Sequence, residues 1–246
     1  MRCALFLLAA SVLHAQDAAL RKQYEQGLRH LKLATSYLES RRDVEAVREL
    51  EEAEKLLPPS FELYYLLGEA YWNRSEFQKS LAQFKKAVGL NTASARAQFR
   101  LGYAQQLLGD LPAAKKSLET ALKLDPELPL ANLAMGHLLA GESKPGEALP
   151  FLQKYAHARP EDIEVRLKLA QINLDVGNTE QALAELKAAE QLAPREKRIH
   201  YLLGRVYTAA RQPELAKQAF ATFSSLEAAD LDRKRLGGNA PYIKRE

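Results

Sequence analysis

Small and apolar residues recur along this chain with a period of 34 residues. When the sequence is written in rows of 34 that begin at Gly27, six rows fill residues 27–230 without an insertion or a deletion. Position 8 of the rows holds only small residues and position 24 only large apolar ones: Ala34, Gly68, Gly102, Gly136, Ala170 and Gly204 at the former, and Leu50, Phe84, Leu118, Leu152, Leu186 and Phe220 at the latter. Such a period indicates an array of stacked repeats.

The pattern within one row predicts two helices that pack against each other. Positions 4, 7, 8 and 11 fall on one stripe of a first helix, and positions 20, 24 and 27 fall on one stripe of a second. Small residues at positions 8 and 20 let the two backbones approach closely, while large residues at positions 7 and 24 fill the space beside them. Gly109, Ser143 and Gly177 near position 15 predict the turn between the helices, and prolines at position 32 predict the end of a row.

The pattern changes at both ends of the array and in its fourth row. Residues 16–26 are expected to lengthen the first helix on its N-terminal side. The sixth row lacks a proline at position 32, so its second helix is expected to run on to Gly237 as a cap, with a basic tail completing residues 231–246. Pro150 is expected to kink the second helix of row four or to delay its start, which makes 141–158 the least regular segment.

The rows resemble the tetratricopeptide repeat. The residues that carry this resemblance are Leu33, Ala34, Tyr37, Ala46, Leu50, Ala53 and Pro58 in the first row, and Leu67, Gly68, Tyr71, Ser80, Phe84 and Ala87 in the second. The resemblance covers six repeats, which are 27–60, 61–94, 95–128, 129–162, 163–196 and 197–230; positions 4 and 11 depart from the family pattern in the middle rows. It implies an all-α fold, a right-handed α-solenoid of six 34-residue helix–turn–helix repeats with a C-terminal capping helix.

The N-terminus has the layout of a secretory signal peptide. A basic stub of two residues precedes ten apolar residues from Ala4 to Leu13, and polar sequence follows. We expect a signal peptide over 1–15 with cleavage after Ala15, and hence a secreted or periplasmic protein. The alternative is an apolar helix that packs on the domain. Because about 20 apolar residues are needed to cross a bilayer, we expect no membrane span.

Most of the net charge lies near the C-terminus. The chain carries +4, of which residues 231–246 contribute +3 and Arg2 the remainder, so residues 17–230 are neutral. A neutral body argues against a nucleic-acid groove, and the basic tail is the one segment suited to a weak contact with an anionic surface. The only cysteine, Cys3, precedes the apolar run, so we expect neither disulfides nor cysteine-based metal sites after cleavage.

No constellation of residues in the sequence predicts catalysis. The five histidines do not share metal-ligand spacing, and the chain has no HExxH pattern, glycine-rich phosphate loop or GxSxG turn. Glutamates such as Glu49, Glu51 and Glu52 recur at helical spacing opposite basic residues, which is typical of a solvated helix face. We therefore expect no catalytic residue, no metal and no cofactor, and we interpret the chain as a non-enzyme.

The family resemblance also implies a binding surface on the first helices. In tetratricopeptide repeats, positions 2, 5, 9, 12 and 13 face the ligand on the concave side of the array. Carried over to this chain, these positions place in the groove Tyr65, Glu69, Trp72, Asn73, Phe99, Tyr103, Gln106, Leu133, His137, Gln171, Tyr201 and Arg205. The lysine and asparagine pairs by which some members hold a terminal carboxylate are absent at positions 5 and 9, so that mode of binding is not expected.

The only tryptophan, Trp72, falls on this surface near Tyr65, Phe99 and Tyr103. Aromatic residues with a polar rim are typical of peptide-binding hot spots. The alternative interpretation is that Tyr65 and Phe99 only seal the seam between adjacent helices.

These patterns favour a bacterial, secreted or periplasmic scaffold without enzymatic activity, which holds a partner peptide or helix in the concave groove. The alternative is a structural subunit of a cell-envelope assembly or secretion machine that acts by stacking or self-association. The partner is a protein in both hypotheses, and the sequence leaves its identity and the oligomeric state open.

Overall fold

The computed structural model describes residues 2–237 of the chain, and it describes their side chains from 17 to 235. Within these residues the secondary structure consists of twelve α-helices and no strand. The helices are α1 Arg2–Glu39, α2 Asp43–Leu56, α3 Phe61–Asn73, α4 Phe77–Leu90, α5 Ala95–Leu107, α6 Leu111–Leu124, α7 Pro129–Gly141, α8 Pro145–Ala158, α9 Ile163–Asp175, α10 Thr179–Leu192, α11 Lys197–Ala209 and α12 Pro213–Gly237.

The helices follow the period of the sequence. The second helices begin at Asp43, Phe77, Leu111, Pro145, Thr179 and Pro213, each 34 residues after the one before. The all-α fold of six helix–turn–helix repeats is thereby confirmed. The expected continuation of the last helix to Gly237 is confirmed as well, because α12 has 25 residues where the other second helices have 14.

Short polar side chains begin several of the helices. Ser60, Ser94 and Asp162 each precede a first helix, and each side-chain oxygen accepts a hydrogen bond from the backbone N–H three residues later, at 3.2–3.3 Å. Such caps satisfy backbone donors that have no partner inside the helix, and each typically stabilises the helix by about 1 kcal/mol.

The turn inside each repeat has the same backbone conformation in all six. The residue at position 15 has a φ between 58° and 85° throughout: Arg41, Ser75, Gly109, Ser143, Gly177 and Arg211. The N–H of the following residue donates to the carbonyl five residues earlier, as from Arg42 to Tyr37 at 2.8 Å, which is the pattern of a Schellman C-cap. The sequence predicts this turn from glycine and serine, but two arginines also adopt it, so packing of the helix pair outweighs the local cost of about 1 kcal/mol.

Pro150 does not delay the helix in which it lies. The sequence predicted either a kink or a late start for this helix, yet α8 begins at Pro145, the same repeat position as the other second helices. The late start is therefore wrong. Pro145 stands in the first turn, where the fixed φ of proline favours a helix, and the ring of Pro150 lies on the exposed side.

The chain divides into two compact units, Met1–Ala131 and Asn132–Glu246, called here the N-terminal and C-terminal units. Within the N-terminal unit each helix from α1 to α6 contacts the next, and α1 also contacts α3. Within the C-terminal unit each helix from α8 to α12 contacts the next, and α9 also contacts α11. In each unit, successive helices thus stack on one another in chain order.

Large residues at position 24 form the centre of each core. Leu50, Phe84 and Leu118 in the N-terminal unit are completely buried, as are Leu152 and Leu186 in the C-terminal unit. They pack against the small residue at position 8 of the same repeat. A Cβ atom added to Gly68, for example, would lie 2.5 Å from the ring of Phe84, so only glycine fits beneath that ring.

Two predicted segments extend beyond what the structure describes. Met1 lies outside the described residues, while the rest of the predicted signal peptide belongs to α1; cleavage after Ala15 stays a prediction. Residues 238–246 of the predicted basic tail lie outside the described residues too. Among the helices described, none combines the length and the apolar character that a membrane crossing requires.

Candidate functional site

Four predicted site residues of the N-terminal unit form a group of aromatic side chains, called here the aromatic patch: Tyr65 and Trp72 on α3, and Phe99 and Tyr103 on α5. The rings of Trp72 and Tyr103 have centroids 5.1 Å apart, and Tyr103 stacks on Phe99 at 5.7 Å with an interplanar angle of 14°. Such spacings are typical of favourable aromatic pairs. The first helices of repeats two and three therefore share one apolar surface.

The four rings differ in how much of their surface is exposed and could contact a partner. Tyr103 is 38% exposed and Trp72 is half-buried, whereas Phe99 is only 5% exposed. Tyr65 packs on the core ring of Phe84 at 5.8 Å, and burial raises the pKa of its hydroxyl. Phe99 thus has little surface left to bury against a partner, and Tyr65 is partly buried against the core. Trp72 and Tyr103 are the rings with surface to bury.

A charged pair lies beside the patch. Arg100 contacts Glu69 through two nitrogen–oxygen pairs, each 2.5 Å apart, and its guanidinium also lies 5.7 Å from the centre of the Phe99 ring. Burial raises the pKa of Glu69 above its ordinary value, and the charge of Arg100 opposes that rise. Arg100, at position 6, was not among the predicted site residues. The sequence offered one signal for it, namely that Arg100 has the opposite charge to Glu69, which lies 31 residues earlier.

The remaining two predicted residues of this unit are polar. The amide nitrogen of Asn73 donates to Asp43 at 2.7 Å, which links α3 to the start of α2. The side-chain oxygen of Gln106 is buried and has no hydrogen-bond partner within the described part of the chain. Asn73 is therefore partly engaged inside the repeat array, and the Gln106 oxygen is buried within it.

In the C-terminal unit, side chains at equivalent positions of consecutive repeats bind each other. Arg205 donates to Gln171 at 2.7 Å, and Gln171 donates to Asp175 at 2.6 Å. Arg198 holds Glu164 through two nitrogens at 2.6 and 2.9 Å; this pairing lowers the pKa of Glu164. Both arginines stand 34 residues after their partners, so a one-repeat step places the same position of two first helices side by side.

Leu133 and His137 line an open cleft of about 540 Å³ on the same unit. Its walls come from α7, from the cap of α9 and from α9 itself, through Leu133, His137, Ala140, Gly141, Asp162, Glu164, Val165 and Lys168. Burial lowers the pKa of His137, and the nearby charge of Lys168 lowers it further, while Asp162 acts in the opposite direction.

The last predicted residue, Tyr201, is 45% exposed at the start of α11. Its ring contacts two phenylalanines of the long helix α12, Phe223 at 5.5 Å and Phe220 at 6.2 Å. Tyr201 thus supports the capping helix and keeps an exposed edge.

The described side chains offer no grouping of three or more histidine, cysteine, aspartate or glutamate residues suited to a metal ion. The chemistry of the predicted surface is that of aromatic burial and ion pairing.

Three family models described as tetratricopeptide repeat match the chain, at residues 31–95, 95–128 and 139–202. Together they cover about two thirds of the sequence.

The curated proteins that are similar in sequence include one from yeast and one from human. The chain is 26% identical over 172 residues to anaphase-promoting complex subunit 3 of Schizosaccharomyces pombe, a match that spans 70% of this chain and 26% of that protein. It is 28% identical over 125 residues to superkiller complex protein 3 of Homo sapiens, which spans 48% of this chain and 8% of that protein. The chain thus spans about a quarter of the length of the first relative and less than a tenth of the second.

Solved structures with the same fold include YrrB, described as a tetratricopeptide repeat protein with an unusual peptide-binding site. It has a TM-score of 0.67 and 21% identity, and the match covers 73% of this chain and 92% of YrrB. PilF of Pseudomonas aeruginosa has a TM-score of 0.67 and 17% identity, with 89% of this chain and all of PilF covered. At these identities the likeness concerns the fold alone. With the repeat matches, the conclusion is that this chain belongs to the tetratricopeptide repeat family.

Proposed function

We propose that this chain is a bacterial scaffold protein without enzymatic activity, which binds a segment of a partner protein on the exposed faces of its first helices. The observation that carries the proposal is the aromatic patch, where Tyr103 and Trp72 present adjoining rings to solvent. A few residues carry most of the binding energy in protein interfaces, and tryptophan and tyrosine are enriched among them. The peptide-binding site named for YrrB, which has the same fold, supports this proposal.

Secretion or a periplasmic location is part of the same proposal. It rests on the basic stub and the ten apolar residues of the N-terminus, which have the layout of a signal peptide. N-terminal sequencing of the protein recovered from its host should show that the mature chain starts at Gln16. Recovery of the intact N-terminus from the cytoplasm would contradict this location.

The alternative, a subunit that stacks end to end, is less well supported. Positions 3 and 10 of repeats two to six are apolar and buried: Leu63, Ala97, Ala131, Val165 and Ile199 at the former, and Ala70, Ala104, Leu138, Ile172 and Val206 at the latter. In the first repeat the same positions are Arg29 and Ser36, both exposed. This face of α1 is polar where a preceding repeat would need an apolar contact, so it disfavours the addition of a second copy.

Replacing Tyr103 with alanine should weaken peptide binding about tenfold, because the exposed ring and its contact with Trp72 are both lost. Peptides selected from a random display library on the immobilised chain provide the probes. Their affinities for the original chain and for the variant are then compared by fluorescence anisotropy.

Leu124→Ala is the matched control, since Leu124 is 42% exposed but lies on the second helix α6. This variant should bind the peptides as the original chain does. Selection of no peptide at all, or an equal loss in both variants, would contradict the proposed function.

A further inference from the structure

The two exposed rings of the aromatic patch carry hydrogen-bond donors that the rest of the protein does not use. Within residues 17–235, neither the indole N–H of Trp72 nor the hydroxyl of Tyr103 has a hydrogen-bond partner. The indole nitrogen is not one of the buried side-chain atoms without a partner, so it reaches solvent. Because the two rings lie 5.1 Å apart, the patch presents two adjoining apolar faces with a donor at the edge of each.

The polar side chains beside these rings are engaged within the array. Both carboxylate oxygens of Glu69 contact Arg100, and the amide nitrogen of Asn73 donates to Asp43 at 2.7 Å. An indole donates a hydrogen bond and cannot accept one. A ligand on Trp72 must therefore bring its own acceptor.

The two helices that carry the patch are neutral as a pair. The charged residues of α3 are Glu62 and Glu69, and those of α5 are Arg96 and Arg100. Glu69 and Arg100 bind each other, while Glu62 and Arg96 stand at the same position of consecutive repeats. Charge complementarity therefore favours an uncharged ligand on this surface.

The turn that follows α3 is neutral as well. Glu76 binds both Arg74 and Lys79, and Asp43, which Asn73 contacts, supplies a second acid. The end of the patch next to Trp72 therefore offers no net charge that would attract an ion.

A proline-rich segment meets these conditions together. Proline has an apolar ring and no backbone N–H, so a run of prolines offers hydrogen-bond acceptors without donors and carries no charge. In the polyproline II conformation its carbonyls make no internal hydrogen bond and remain open to a donor. The carbonyls of an α-helix, in contrast, are occupied within the helix. The hydroxyls of a sugar bring donors for which the indole has no acceptor.

We infer that the aromatic patch binds a proline-rich segment in the polyproline II conformation. Proline rings pack on the faces of Trp72 and Tyr103, and the indole N–H and the tyrosine hydroxyl donate to two backbone carbonyls of the segment. Grooves lined by aromatic residues recognise such segments in other protein classes, and a segment that holds its bound conformation beforehand loses little entropy. This inference rests on the proposed function and names the chemistry of the bound segment.

The experiment measures the binding of fluorescein-labelled decaproline to the original chain, to Tyr103→Phe and to Trp72→Phe by fluorescence anisotropy. Each variant keeps an aromatic ring and removes one donor. We expect decaproline to bind the original chain and to bind Tyr103→Phe about fivefold more weakly, because one hydrogen bond is lost. The loss in Trp72→Phe should be larger, since that change also removes ring area. Because the ligand and the surface are uncharged, raising NaCl from about 50 mM to about 500 mM should change the affinity less than about twofold.

Tyr201→Phe is the matched control variant. Tyr201 is 45% exposed, lies in the C-terminal unit, and has a hydroxyl without a hydrogen-bond partner among residues 17–235. This variant should bind decaproline as the original chain does. A glycine–serine peptide of the same length is the matched control ligand and should not bind, since it offers carbonyls without proline rings.

The outcomes distinguish this inference from the proposed function. Absence of decaproline binding, with library-selected peptides that contain no proline and lose affinity in Tyr103→Ala, would uphold the scaffold proposal and overturn the inference. Selected peptides that become helical on binding would do the same. Decaproline binding that is unchanged in both Tyr103→Phe and Trp72→Phe would also overturn the inference. Failure of the original chain to bind either decaproline or any library peptide, with a neutral oligosaccharide bound instead or with no ligand at all, would overturn both.

Discussion

Replacing Phe84 with alanine should lower the free energy of unfolding of the N-terminal unit by about 3–5 kcal/mol. Phe84 is completely buried in α4, packs beneath Tyr65 at 5.8 Å, and lies over Gly68. Its removal leaves a cavity that the neighbouring residues cannot close, because glycine at position 8 has no side chain to move into the space. The loss comprises both the hydrophobic transfer energy of the ring and the lost packing around it.

Urea unfolding followed by tryptophan fluorescence measures this effect, because the single tryptophan, Trp72, lies in the N-terminal unit. Leu90→Ala in the same helix is the matched control, since Leu90 is 51% exposed and should cost less than about 0.5 kcal/mol. A similar loss in both variants would show that position 24 is not the centre of the core.

Replacing Arg100 with methionine should destabilise the N-terminal unit by about 2 kcal/mol at pH 7. The pair is mostly buried, with side chains 24% exposed for Arg100 and 19% for Glu69. Methionine keeps much of the volume over Phe99 but leaves the Glu69 carboxylate without its partner. The cost is that of a partly buried charge whose compensation has been removed.

The effect of this change should depend on pH. Burial raises the pKa of Glu69 in the folded chain above its ordinary value of 4.5, so ionising this group disfavours folding. That penalty is absent below pH 4.5 and complete above the folded pKa, and Arg100 reduces it only while Glu69 is charged. The destabilisation caused by Arg100→Met should therefore be largest at neutral pH and should shrink as the pH falls through the folded pKa of Glu69.

A double-mutant cycle with Glu69→Gln isolates the pair. In the Glu69→Gln background, Arg100→Met should cost much less, and the cost should be nearly independent of pH. An Arg100→Met effect of the same size in both backgrounds would mean that the arginine acts through its packing on Phe99 alone.

Much of the fold could be predicted from the sequence because the same packing pattern of small and large residues recurs in each repeat. A small residue at position 8, such as Gly68, is paired with a large one at position 24, such as Phe84, in all six rows. The prediction of the helix pair therefore does not depend on a chance match in any single row. The turn conformation at Arg41 and Arg211 was not predictable from local preference, since the packed helix pair imposes a left-handed φ on residues that disfavour it.

The sequence predicted on which helix face the candidate site residues lie, but not how exposed each side chain is. Repeat positions identify the helix face on which Phe99 and Tyr103 lie, yet the 5% exposure of one ring and the 38% exposure of the other depend on what covers each. Arg100, which pairs with Glu69 beside the aromatic patch, stands at position 6, outside the positions that the family resemblance implied. The cleft itself had a signal in the sequence, namely Ala140 and Gly141 where repeat two has Trp72 and Asn73.

The repeats share the residues that pack the helix pair and differ on the exposed face of the first helix. Residues at positions 8 and 24 fix the helix pairs, and residues at positions 9 and 12 vary from Trp72 and Tyr103 to His137 and Ala140. Recognition is therefore assigned to the variable positions, while stability resides in the constant ones.

The most direct test of this assignment is a ¹⁵N–¹H correlation spectrum of the chain with and without a library-selected peptide whose binding Tyr103→Ala weakens. With one tryptophan in the sequence, the spectrum contains a single indole signal, and that signal comes from the aromatic patch. We predict that saturating peptide shifts the indole signal together with backbone amides of α3 and α5. An unmoved indole signal, with shifts confined to the second helices α4 and α6, would contradict the account.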